Sequence, residues 1–125
     1  MARQILDELH IHPAIRATVS AHFRETVQEV QSAVAQHRIV VVGMKSNPAV
    51  KGARKLLDDQ GLDFQYLEYG SYFNQWRRRN SLKMWTGWPT FPMVFVDGVL
   101  VGGYKDVKAL AGSGELSRML AENRR

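Results

Sequence analysis

The chain contains no cysteine in its 125 residues. That excludes disulfides, thiolate metal ligands and any cysteine nucleophile, since each depends on a sulfhydryl. No window approaches the roughly 18 consecutive apolar residues of a membrane span, so no membrane partner is expected. Met1-Ala2-Arg3-Gln4 opens no apolar run of the kind a secretory leader carries, and a cytoplasmic protein is the expectation. No internal repeat or low-complexity tract is present. Acidic residues are the minority among the charges: 12 Asp and Glu stand against 17 Lys and Arg, a net charge of +5. That balance favours anionic partners such as acidic metabolites or nucleic acid, although a solvated basic surface accounts for it equally well.

What is present fits one domain, because 125 residues with 45% hydrophobic content can bury a core without staples. The most informative stretch is Trp88–Gly103, WPTFPMVFVDGVLVGG. Two β-rich runs, Met93–Val96 and Val99–Val101, flank Asp97-Gly98, a dipeptide suited to a type I′ hairpin turn with φ > 0 at both positions. Thr90-Phe91-Pro92 precedes the hairpin and Gly102-Gly103 follows it. Proline removes a ladder donor and paired glycines admit close approach, so both ends read as binding edges.

Ahead of this stretch, Pro13 opens a helix predicted to run to about Gln36, with Ile15, Val19, Phe23, Val27, Val30 and Val34 on one face. Such a stripe is core packing or, at a subunit surface, an oligomer seam. His10 and His12 form an H-x-H pair, but with no convergence of His22 or His37 a loop or capping role is the stronger reading and no metal site is expected. Ile39–Val42 predicts a central strand buried on both faces. Asn47-Pro48 then marks a second helix by N-cap and N1 preference, with Val50, Ala53, Leu56 and Leu57 inward and Gly61 at its end. A second strand is predicted within Asp63–Glu68, a strongly basic third helix over Tyr72–Trp85, and a last helix over Lys105–Leu120 broken near Gly112–Gly114. Leu110, Leu116, Met119 and Leu120 are its expected inner face. The order α-β-α-β-α-β-β-α predicts an α/β protein with a mixed four-stranded sheet flanked by helices, a thioredoxin-like arrangement.

From Arg38 to Leu120 the residues resemble the glutaredoxin family. The most specific part is WPTFP through VGG, closest to monothiol glutaredoxins, and the leading helix is similar to that class. The resemblance divides the chain into an N-terminal helical extension packed on the domain, residues 1–36, and a glutaredoxin-like domain, residues 37–125. It implies glutathione-dependent disulfide chemistry, and for monothiol members an iron–sulfur cluster held with glutathione. The family's Cys-Pro-x-Cys motif falls on Asn47-Pro48-Ala49-Val50, with one residue missing after Lys45. Asn47 therefore stands at the nucleophile's position and Val50 at the resolving position. Asparagine caps a helix but forms no thiolate, so no catalytic residue and no cluster are expected.

The resemblance also implies a glutathione groove. Lys45 and Arg79 would meet the glycine carboxylate, Thr90, Phe91 and cis Pro92 would supply the backbone edge, and Gly103, Tyr104 and Lys105 would line the γ-glutamyl end. Lys105 stands where the family places aspartate, with Asp106 one step late. The expected function is non-catalytic binding of glutathione or a γ-glutamyl or acidic peptide, with no other cofactor required. The alternative is a protein-interaction or homo-oligomerisation module with a vestigial groove, using the first helix and the surface around Trp76, Trp85 and Arg77–Arg79. Nucleic acid is the weakest partner of the three.

Overall fold

The computed structural model describes residues 2–122, with the side chains at 22, 23 and 122 outside that description. Ile39-Val40-Val41-Val42 sits at the centre, because β-branched side chains suit a pleated surface covered on both faces. Strand β1 (Ile39–Gly43) is buried at every residue. It runs parallel to β2 (Gln65–Glu68), with Val41 beside Tyr66, and antiparallel to β3 (Met93–Val96), with Val41 beside Val94. Strand β4 (Val99–Gly102) completes the sheet in the order β2-β1-β3-β4. The β3–β4 turn has φ of 48° at Asp97 and 82° at Gly98, the signs that the Asp-Gly pair predicts.

Alternation along β1 divides the core. Val40 and Val42 pack with Val27 and Val30 of α1 (Pro13–Gln36) and Leu82 of α3 (Trp76–Thr86). Ile39 and Val41 join Leu57 of α2 (Pro48–Asp59), Val107 of α4 (Tyr104–Ser113) and Leu116 of α5 (Glu115–Glu122). Burying each of these side chains stabilises the fold by about 1.5–3 kcal/mol before entropy is counted. The last helix is broken as expected, by Gly114 at φ 84°. Of its expected inner residues Leu116 is buried, while Leu110, Met119 and Leu120 are half-buried at the edge of that core.

Two expectations change. The third helix begins at Trp76, not Tyr72. Gly70 adopts φ 68°, the Asn74 side chain accepts the Ser71 N–H at 2.9 Å, and Gln75 adopts φ 54°, so residues 70–75 turn before the helix starts. Phe73 is consequently 96% exposed. The stripe on α1 is core only in its second half: Val27 and Val30 are buried, whereas Ile15 is 51% exposed. Phe23 and His22 lie outside the described side chains. His12 has the capping role, its Nδ1 accepting the Ala14 N–H at 3.0 Å. Among the described residues, no cluster of three or more His, Asp or Glu side chains could hold a metal ion, and no helix is long and apolar enough to cross a membrane.

A polar network fastens α1 to the domain. The Tyr69 hydroxyl donates to Glu29 at 2.6 Å, and Arg78 donates to the other Glu29 oxygen at 2.9 Å and to Thr26 at 3.1 Å. Burial, and then the bond to Glu29, raises the Tyr69 phenol above its ordinary range. Arg78 is thus committed to internal partners.

Candidate functional site

The local sequence places the start of α2 on the end of β1. Gly43 ends the strand, and a Cβ there would lie 2.6 Å from Val50 Cγ1, so only glycine admits so close an approach of helix to strand. Asn47 caps the helix: its Oδ1 accepts the Val50 N–H at 3.1 Å, and its Nδ2 donates to the Tyr72 hydroxyl at 3.4 Å. Val50 itself is buried in the core, 1% exposed, and presents nothing to solvent. Both positions at which a thiol would be placed are therefore structural.

Opposite this cap lies a cleft of about 510 Å³. Thr90, Phe91 and Pro92 form one wall, with the Phe91–Pro92 peptide bond cis. Among the described residues, the Phe91 N–H has no partner within the chain, so this edge stands free for an extended ligand. Gly103, Tyr104 and Lys105 form the other end, at the N-terminus of α4. The Tyr104 ring lies against α2: a Cβ on Gly52 would come within 3.0 Å of it. Asp106 folds back as the cap of α4, its Oδ2 accepting the Gly103 N–H at 2.9 Å. The Trp88 indole N–H is buried beside Gly103 with no hydrogen-bond partner.

Six of the eight ligand residues expected from the sequence line this cleft: Thr90, Phe91, Pro92, Gly103, Tyr104 and Lys105. Lys45 and Arg79 do not. Lys45 is exposed outside the lining, its backbone N–H held by the Gly70 carbonyl at 2.7 Å. Arg79 is 7% exposed and donates through Nη1 to the Tyr69 carbonyl at 2.9 Å and the Asn74 carbonyl at 2.6 Å. It holds the turn before α3 and does not reach the cleft. The cation that α3 gives to the cleft is Lys83, with its ammonium 5.8 Å from the Phe91 ring centroid. Lys83 is one helical turn beyond Arg79, so counting back from Trp-Pro-Thr finds the right helix but the wrong turn. Tyr72, Trp88 and Asp106 also line the cleft; only the positions of the 70–75 turn and of the α4 cap reveal their part in it.

Comparison with known proteins agrees with this geometry. The family model described as Glutaredoxin matches residues 39–101. The chain belongs to the glutaredoxin family. A glutaredoxin-like protein from Dictyostelium discoideum is 49% identical over 88 residues, covering 70% of this chain and 72% of that protein. A probable monothiol glutaredoxin 2 from Rickettsia prowazekii is 31% identical over 103 residues, covering 78% of this chain and 94% of its own. The solved buckwheat glutaredoxin–glutathione complex superposes with a TM-score of 0.73 at 27% identity, over 82% of this chain and 93% of that one. The fold is thus the thioredoxin-like fold of glutaredoxins. The donor set at the start of α2 in this glutaredoxin, an amide oxygen used as a helix cap and a buried valine, offers no thiolate and does not fit iron–sulfur ligation.

Proposed function

We propose that this glutaredoxin-family protein binds glutathione or a related γ-glutamyl or acidic peptide in the cleft and performs no thiol chemistry on it. The observation that carries the reading is the pairing of an unpartnered backbone N–H at Phe91, in the bend ahead of β3, with a helix start whose cap is Asn47. The edge supplies backbone pairing and Lys83 and Lys105 supply charge, while nothing at the helix start can attack a disulfide. The buckwheat relative, solved with glutathione, supports the choice of ligand class.

Calorimetric titration with glutathione tests it. Binding in the millimolar range or tighter, weakened by Lys83→Ala, is expected, with no turnover in a glutathione-coupled thiol-transfer assay. Absence of heat at millimolar glutathione, or sustained turnover by pure protein, would refute it.

A second reading, an interaction or oligomerisation module, is favoured by a separate observation. Ile5, Leu6, Ile15 and Met84 are all exposed by half or more around a groove between the N-terminal segment, α1 and α3. Sedimentation over a concentration series separates the two, since a monomer at all concentrations removes self-association through that face.

A further inference from the structure

Cations outnumber anions in the lining of the cleft. Its lining includes two ammonium groups, Lys83 beside Phe91 and Lys105 at the start of α4, and one carboxylate, Asp106. That residue is exposed, but its Oδ2 is committed to the helix cap: it accepts the Gly103 N–H at 2.9 Å and packs so closely on Gly102 that a Cβ there would lie 2.6 Å from it. At the same end, the Trp88 indole N–H is buried without an acceptor, and the α4 N-terminus adds its partial positive charge. Positive charge therefore lies both beside Phe91, from Lys83, and at the start of α4, from Lys105.

We infer that the cleft selects a ligand carrying a carboxylate at each end, and disfavours one with an ammonium at the α4 end. This rests on the proposed binding of peptide-like acids in the cleft, and it narrows that class. Glutathione has two carboxylates, but its γ-glutamyl end also carries an ammonium, which would sit near the Lys105 charge. An otherwise identical acid without that amine keeps both carboxylates and loses the repulsion. A short peptide-like dicarboxylate with a neutral or absent amino group is thus the ligand class for this site.

The test compares two probes on the intact protein by calorimetry: S-methyl glutathione, and S-methyl glutaryl-cysteinyl-glycine, which differs only by lacking the amine. The deaminated probe is expected to bind about five- to tenfold more tightly at low ionic strength, with the gap shrinking as salt is added. Lys105→Asp, at an exposed first-turn position where aspartate is well tolerated, is expected to reverse the order. Equal affinities in the unmodified protein would overturn the inference, and a preference for S-methyl glutathione would overturn it and assign the ammonium to Asp106; either result leaves cleft binding intact. If neither probe binds at millimolar concentration, cleft binding itself fails and the selectivity falls with it.

Discussion

Arg79 offers the sharpest prediction, because two roles for it make opposite forecasts. As a ligand residue it would matter to affinity and little to stability. In the structure it is a buried support for the 70–75 turn. Replacing it with methionine keeps most of the stem volume and removes the guanidinium that serves the Tyr69 and Asn74 carbonyls. A hydrogen bond from a charged donor contributes about 1.5–3 kcal/mol net, so two give roughly 3–6 kcal/mol. The guanidinium no longer has to be desolvated, and water can reach the turn, which offset part of this. A loss of about 3 kcal/mol remains, or roughly 12 °C in Tm for a chain of this size. Urea and thermal unfolding followed by far-ultraviolet circular dichroism measure it, with ligand affinity taken at low temperature where the variant is folded. An unchanged unfolding midpoint combined with lost affinity would refute the structural assignment.

The remaining predictions address the cap, the helix seat and alkaline pH. Asn47→Ala removes the acceptor for the Val50 N–H and is expected to cost about 1 kcal/mol in urea unfolding; no loss would mean that the cap is not structural. Gly43→Ala drives a methyl into Val50 and should destabilise by about 1–3 kcal/mol, a result that a neutral denaturation midpoint would contradict. Burial and the bond to Glu68 push the Tyr66 phenol up to about 12, and Tyr69 is raised for parallel reasons. Groups raised in the folded state contribute stability that is complete below the unfolded value of 10.0 and is lost as pH climbs through the folded value. The urea midpoint should therefore fall above about pH 10, less steeply in Tyr66→Phe and Tyr69→Phe. Identical alkaline limbs in all three proteins would contradict this.

The parts of the molecule legible from residues alone are those decided by local chemistry. Four β-branched residues in a row specify β1, Asn-Pro specifies the start of α2, and Asp-Gly between β-rich runs specifies the hairpin. Long-range partners were not legible. Arg77-Arg78-Arg79 reads as a basic face, yet Arg78 bonds Glu29 and Thr26 on α1 and Arg79 bonds backbone carbonyls. Which arginine faces inward depends on where α3 begins, and that is set by left-handed backbone at Gly70 and Gln75. Counting back from Trp-Pro-Thr to Arg79 passes Lys83, the cation that lines the cleft, by one helical turn. Likewise, the apolar spacing of α1 does not reveal that only its second half has a sheet to pack against.

The central claim is that the cleft at Phe91 binds a glutathione-class ligand although its helix start has become a cap. Backbone amide chemical-shift mapping during a glutathione titration tests it most directly. The account predicts saturable shifts at Ala49, Phe91, Tyr104 and Lys105, with Arg79 and the α1 face unchanged. Shifts confined to the groove around Leu6 and Ile15, or none at millimolar glutathione, would contradict it.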